Sequence, residues 1–362
     1  LTDILSIGTA LPSFRHSQSD ILAFMQRVYA LDAVESRKLR FLYQQSDIHY
    51  RYSFIPDYSK PMREWKFYPA VESLEPFPNL ELRMSWYQKH AASLSVDAIR
   101  DCLQHHPGGT AGITHLITVS CTGMSAPGLD LQVMEMMELP RNLHRTSINF
   151  MGCYAALHAL KQADSICRAD PEAQVLIVCT ELCTLHFQKV PTPDNLAASL
   201  LFGDGSAAVL VGGGNQGKSQ ASIRGFYAEV VPKGKRDMSW ELSSSGFLMT
   251  LSGYIPELIA TDFRPLLERA MQSYKRELGS ISNWCIHPGG KRILQAVQKS
   301  LQLADGSLDA AGSVLREYGN MSSPSILFVL KRLIESGKKG ASLAAAFGPG
   351  LTMETCLLEI AE

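Results

Sequence analysis

Phe150-Met-Gly-Cys-Tyr-Ala-Ala-Leu-His158 decides how this chain is read: a glycine, a cysteine, then small and apolar residues from Ala155 to Ile166 patterned as an amphipathic helix. A cysteine at the head of a helix lies in the partial positive charge of the helix start, which favours thiolate over thiol. Small neighbours leave a substrate room to approach the sulfur. The stretch predicts a nucleophile of lowered pKa at Cys153, and a covalent acyl-transfer site if a histidine and an amide join it.

Other stretches echo this one. Tyr318-Gly-Asn-Met-Ser-Ser323 also precedes a helical pattern, and Phe202-Gly-Asp-Gly-Ser-Ala-Ala-Val-Leu210 is echoed by Phe347-Gly-Pro-Gly-Leu-Thr-Met-Glu354. Two echoes in the same order point to a duplicated α/β unit that brings Cys153 and Asn320 together across a pseudo-two-fold. The polar, glycine-rich run 212–219 reads as the linker, so the halves fall at residues 1–212 and 220–362. Short β-rich runs bounded by glycines alternate with longer helical patterns, which argues an α/β fold. Strands are expected at 4–11, 115–120, 175–179, 206–212, 284–287 and 340–347, and helices at 18–31, 89–104, 129–137, 155–169, 256–278, 291–301 and 324–335. Residues 52–82, rich in Pro, Trp and Tyr, read as an irregular excursion over the core.

At 362 residues the chain exceeds the usual size of one core, which fits two domains or one duplicated one. Lys+Arg 34 against Asp+Glu 35 leave a net charge of -1, and no basic run interleaved with aromatics supports nucleic-acid binding. No apolar stretch reaches membrane-spanning length. The opening Leu1-Thr-Asp-Ile-Leu lacks the features of a signal peptide and an initiator Met, so N-terminal trimming is expected. Eight scattered cysteines without paired spacing exclude a zinc site or a disulfide scaffold, and read as reduced thiols, mostly in the core of a cytoplasmic protein.

Two further residues could complete a site with Cys153. Trp284-Cys-Ile-His287 reads as a strand ending at Pro288-Gly-Gly290, and a histidine at such an end, beside a glycine turn, is placed for chemistry. A core or capping role is the plainer alternative. Asn320 sits in a turn at a helix start, where an ordinary cap is again the alternative.

Met151-Gly-Cys153, Leu201-Phe-Gly-Asp-Gly205, His287-Pro-Gly-Gly290, Tyr318-Gly-Asn-Met-Ser-Ser323 and Phe347-Gly-Pro-Gly-Leu-Thr-Met-Glu354 stand in the order found in type III polyketide synthases. The chain resembles these chalcone-synthase-like enzymes, in their microbial branch, from Leu116 to the C-terminus. The likeness is more diffuse before that, where Ile4-Leu-Ser-Ile-Gly-Thr-Ala-Leu-Pro12 is similar to the family's opening strand. The resemblance implies a thiolase-like αβαβα fold of two duplicated halves, working as a homodimer. It implies that Cys153 takes a starter acyl group from coenzyme A and carries the growing chain as a thioester. His287 would hold the thiolate as an imidazolium–thiolate pair. His287 and Asn320 would donate to the thioester carbonyl of malonyl-CoA and stabilise the enolate left by decarboxylation. Backbone N–H groups of Cys153 and of the loop Phe347, Gly348, Pro349 and Gly350 would stabilise the tetrahedral intermediate. No metal or redox cofactor is implied.

By the same resemblance Phe202 is the gatekeeper between a coenzyme A tunnel and the reaction cavity, and Ser322 lines the pocket. Lys291, Arg292 and Gly289, at the His287 turn, are candidates for coenzyme A contacts. Arg37, Lys38, Arg40 and Arg51 are weaker ones, because His49 stands where a lysine is common. The cavity departs from the plant branch. Cys121 replaces a threonine, Cys183 and His186 replace small polar residues, and Ala126 stands where a methionine enters the neighbouring subunit. Met249 aligns with a second gatekeeper phenylalanine and Trp240 with a glycine. A tryptophan fills much of any cavity wall, so the expected product is a small pyrone or resorcinol-type compound from a small or aliphatic starter. Rival readings are a ketoacyl synthase III acting on carrier protein, a Cys-His-Asn hydrolase, and a thiolase-fold protein without activity.

Overall fold

The computed structural model describes residues 2–104, 106, 108–213 and 219–361; most of the expected linker 212–219, namely residues 214–218, lies outside them. The first half runs β1 (Thr2–Ala10), β2 (Phe14–Ser17), α1 (Gln18–Tyr29), α2 (Ala33–Gln45) and β3 (Tyr50–Ser53). It continues with α3 (Leu80–Leu103), β4 (His115–Ser120), α4 (Leu129–Met136), β5 (His144–Asn149) and α5 (Ala155–Ala169), and closes with β6 (Gln174–Leu182), α6 (Pro193–Leu201) and β7 (Asp204–Gly213). The second half holds β8 (Ala221–Val230), β9 (Met238–Ser243), β10 (Gly246–Leu251), α7 (Ile255–Tyr274) and β11 (Asn283–Ile286). It ends with α8 (Lys291–Leu301), α9 (Asp309–Tyr318), α10 (Ser325–Glu335), β12 (Gly340–Gly348) and β13 (Thr352–Ile360).

Strand order exposes the duplication. The long sheet reads β11-β12-β13-β8-β1-β7-β6-β4-β5. Outward from its centre, the first half places β1, β7, β6, β4 and β5, and the second places β8, β13, β12 and β11: the same winding with the outermost strand missing. Directions agree as well. β4 pairs β6 and β11 pairs β12 in parallel, while β6–β7, β1–β7, β12–β13 and β8–β13 are antiparallel. The halves meet where Thr2, Asp3 and Ile4 pair Ile223, Ser222 and Ala221. The architecture is thiolase-like.

Why these strands sit inside follows from their composition. β6 and β7 are near-continuous apolar runs, the signature of strands covered on both faces, and 175–179 and 207–211 are wholly buried. Their alternation sorts them between two cores. Val175, Ile177, Val209 and Val211 face the cluster holding α5 and α10, whereas Leu176, Val178, Ala208 and Leu210 face that of α1 and α3. α5 and α10 each touch strands of both halves and form the middle layer.

Several elements lie outside the sequence expectations: α2, α6, α9, β5, β8, β13 and the hairpin β9–β10. α2 buries only Leu39 and Tyr43, too little for a clear period. α3 begins at Leu80 rather than 89, capped by the Asn79 carboxamide accepting from Leu82 N–H at 3.0 Å. Its first turns carry the fully buried Arg83, a charge that hides the apolar pattern. Residues 52–82 do cover the core, burying Tyr58, Phe67, Tyr68 and Leu74. No helix among the described residues is long and apolar enough to cross a membrane.

Candidate active site

Loops after β5, β11 and β12 and the turn between α9 and α10 converge on a cavity of about 500 Å³. The first follows β5, turns through Phe150 and Gly152 at φ +58° and +86°, and delivers Cys153 ahead of α5. Gly152 has no alternative here: a Cβ would lie 2.3 Å from Cδ of Pro349, in the loop after β12. A Cβ on Gly348 would in turn lie 2.5 Å from the Tyr154 ring and 3.4 Å from the Cys153 nitrogen. The two halves are thus pressed together by glycines on either side of the cysteine.

Alone among the eight cysteines, all of them free, Cys153 is not fully buried, and it opens on the cavity. Its thiol donates to Ser322 Oγ at 3.5 Å. Burial nevertheless pushes it up to about 11; hydrogen bonds from Ser322 and Asn320 pull the other way, and the Glu181 carboxylate adds to the rise. This corrects the expectation of a lowered pKa: desolvation of the charged form outweighs the helix start.

His287 follows β11, its N–H bonded to Ala345 O at 2.9 Å. The ring is buried and neither nitrogen has a partner among the described residues. Burial alone drives it down to about 3. Burial thus works against both charged forms that the imidazolium–thiolate pair suggested by the resemblance would need. Asn320 is oriented by its surroundings. Its Oδ1 accepts from Ser322 N–H at 2.8 Å, so the carboxamide nitrogen faces the other way, toward Gly289 O at 3.4 Å and the Cys153 sulfur. Ser322 itself holds φ +59° to bring its hydroxyl to the sulfur.

The opposite wall is built differently. His186 donates from Nε2 to Thr122 O at 2.7 Å and accepts at Nδ1 from Phe247 N–H at 3.1 Å. Its ring stacks on Phe247 with centroids 4.3 Å apart and meets Trp240 edge-on at 5.5 Å. Burial pushes His186, too, down to about 3. Trp240 Nε1 donates to Cys121 O at 2.6 Å, and Met249 pairs with Trp240 across the hairpin. Phe202, Cys121, Cys183, Trp240 and Met249 all line the cavity, as do Phe347 and Pro349. Burial raises the Cys121 and Cys183 thiols well above the ordinary range.

Lys291, Arg292 and Gly289 line the cavity where α8 begins. Arg51 does not belong with them. It is buried behind α6 and bonded to main-chain carbonyls, out of reach of a coenzyme A phosphate. Arg37, Lys38 and Arg40 are exposed on α2, whose Leu42 and Gln45 reach the cavity.

Two residues lacked advance notice. Phe247 is one; Glu181 is the other. The Glu181 carboxyl accepts from Ser323 Oγ (2.6 Å), Thr122 Oγ1 (2.8 Å) and Cys121 N–H (2.9 Å), tying together the loops behind Cys153. Burial pushes it up to about 7. A lone acid in the apolar run of β6 was the available signal.

Family models of chalcone and stilbene synthases match the chain, the N-terminal domain over residues 1–215 and the C-terminal domain over residues 223–361. A putative chalcone synthase of Bacillus subtilis is 30% identical over 98% of this chain and 97% of its own length. The alpha-pyrone synthesis polyketide synthase-like Pks18 of Mycobacterium tuberculosis is 28% identical, covering 99% and 91% respectively. A probable polyketide synthase of Dictyostelium discoideum is 29% identical over 98% of this chain, which spans 11% of that longer protein. Among solved structures, PKS-I of the brown alga Ectocarpus siliculosus superposes with a TM-score of 0.93 at 28% identity, covering 99% of this chain and 98% of that one. The C-terminal type III polyketide synthase domain of Steely1, a type I/III hybrid from Dictyostelium, gives 0.92 at 27%, covering 100% and 99%.

Proposed function

The chain belongs to the chalcone and stilbene synthase family and is a type III polyketide synthase, an acyltransferase that forms carbon–carbon bonds; from that premise we propose that Cys153 carries the acyl chain while His287 and Asn320 generate the extending enolate. What supports this division is that the three side chains wall one cavity, with both His287 nitrogens left for a substrate and the Asn320 carboxamide nitrogen held to the main chain only by a long 3.4 Å bond to Gly289 O. Burial disfavours a free thiolate, so loading is written as a general-base step: His287 takes the proton as sulfur attacks the acyl-CoA carbonyl, and coenzyme A leaves with a proton returned to its sulfur. Malonyl-CoA then binds with its thioester oxygen at His287 and Asn320. Its carboxylate leaves as carbon dioxide, and the bonding pair becomes an enolate held by two donors. The enolate carbon attacks the Cys153 thioester, the carbon–sulfur bond breaks, and the chain, two carbons longer, passes to coenzyme A. Every step is nucleophilic or acid–base, so the proposal includes no metal or redox cofactor.

The remaining assignments belong to the same reading. Lys291, Arg292 and the start of α8 would meet coenzyme A phosphates, and Phe202 would divide tunnel from cavity. Backbone N–H groups at Cys153 and the Phe347–Gly350 turn would receive the tetrahedral oxyanion. Trp240, pinned by its bond to Cys121 O and its contact with His186, closes the far wall and favours a small pyrone or resorcinol-type product from a small or aliphatic starter. A homodimer fits the exposed edge strand β5 and the exposure of Met124 and Met136. The expected location is the cytoplasm.

The experiment is product analysis by mass spectrometry with malonyl-CoA and acyl-CoAs of graded length. Iterated extension of short or aliphatic starters is expected, and preference for p-coumaroyl-CoA with chalcone release would refute the small cavity. Cys153→Ala should abolish condensation yet keep malonyl-CoA decarboxylation; a Cys153→Ala protein that still condenses at the wild-type rate would sink the assignment.

A further inference from the structure

The last carbonyls of an α-helix have no partners within the helix. At the end of α6, four consecutive carbonyls are met from outside. Arg51 Nη1 donates to Ser199 O at 2.5 Å and to Phe202 O at 2.9 Å, Gln18 Nε2 to Leu200 O at 2.9 Å, and Asn320 N–H to Leu201 O at 2.8 Å. Gln18 also holds the guanidinium, accepting from Arg51 Nε at 2.9 Å. Gly203 N–H returns a bond to Asn320 O at 3.0 Å, which makes Phe202 and Asn320 a parallel main-chain bridge.

Arg51 is only 1% exposed and makes no ion pair among the described residues, and its Nη2 has no partner among them. A buried cation without an ion pair in contact is unfavourable unless its surroundings are strongly oriented; here they are carbonyl dipoles at the negative end of a helix, with the Asp204 carboxyl acting from further off. The fit has little slack, since a Cβ on Gly319 would lie 2.7 Å from Leu201 O and 2.9 Å from Arg51 Cγ.

We propose that Arg51 and Gln18 are positioning residues: they fix the end of α6 and, through the bridge, set where the Asn320 carboxamide and the Phe202 ring stand in the cavity. This rests on the assignment of Asn320 to decarboxylation given above. Neither residue touches substrate.

The test is a double-mutant cycle on malonyl-CoA decarboxylation by the full chain, pairing Arg51→Lys with Asn320→Ala. Lysine keeps the charge and loses the fork that spans two carbonyls. Arg51→Lys should lower kcat about tenfold or more, since an ångström of misplacement can cost roughly 10²-fold, while KM changes about threefold at most. In the Asn320→Ala background the same substitution should produce no further loss. Losses that multiply in the double variant, a KM rise at constant kcat, or an unchanged Arg51→Lys enzyme would each overturn the proposal. Should Arg51→Lys not fold, Gln18→Ala carries the same cycle with a smaller loss. A wild-type chain that fails to decarboxylate malonyl-CoA overturns the functional assignment itself; an active wild type with multiplying losses overturns this inference alone.

Discussion

Two histidines wall the same cavity, and burial drives both down to about 3. They are otherwise opposites. His186 has both nitrogens engaged, with Thr122 O and Phe247 N–H, and a ring stacked at 4.3 Å; His287 has neither nitrogen engaged and only its main chain tied down. The shifted pKa does not tell which one does chemistry. What separates them is whether hydrogen-bonding capacity is left for a substrate.

That contrast can be broken most directly through the sulfur beside His287. With its pKa at about 11, roughly one Cys153 in ten thousand is thiolate at pH 7. Alkylation by iodoacetamide without substrate should therefore be slow at pH 7 and rise about tenfold per pH unit, nearly a thousandfold by pH 10. A fast rate, flat from pH 6 to 8, would show that a neutral His287 is the wrong description. Substituting the two histidines tests the contrast itself. His287→Ala should reduce malonyl-CoA decarboxylation by about 10²–10³-fold, the scale of losing one enolate-stabilising donor. His186→Ala should keep that rate within about tenfold and instead lower the melting temperature. Equal kinetic losses would erase the distinction. Trp240→Ala sharpens it on the other side: removing the indole should admit bulkier starters, read as a changed product profile, with decarboxylation altered by about threefold or less. Smallest is the effect of the buried acid between the walls. Glu181 is raised from 4.5 to about 7, so the folded state holds its proton more tightly than the unfolded chain. That contribution is complete below pH 4.5, falls as pH rises to 7, and reaches on the order of 3 kcal/mol of lost stability. Glu181→Gln should flatten the decline of melting temperature over that window.

How much of this was legible in the chain depends on distance in sequence. Cys153, His287 and Asn320 each lie in a short run whose turn chemistry marks a strand end or helix start, and the two echoes anticipated the repeated strand order. Phe247 was hidden because the β9–β10 hairpin turns on Ser244-Ser245, without the Asn-Gly or Asp-Gly signal of a two-residue turn. Arg51 was misread because β3 inverts the usual rule: its tyrosines Tyr50 and Tyr52 are half-exposed, while Arg51 and Ser53 point inward. The upward push on the Cys153 pKa could not be read locally at all. It is fixed by burial beneath loops of both halves, a sum over residues far apart in sequence.

The bridge between Phe202 and Asn320 uses main-chain atoms only. Whatever ring or chain is mounted at position 202, the peptide groups can keep the same two bonds, so the bulk of the cavity wall there can change while the amide across from it stays put. Under the proposed roles, exchanging that one side chain would reshape what the cavity accepts without disturbing the group assigned to decarboxylation.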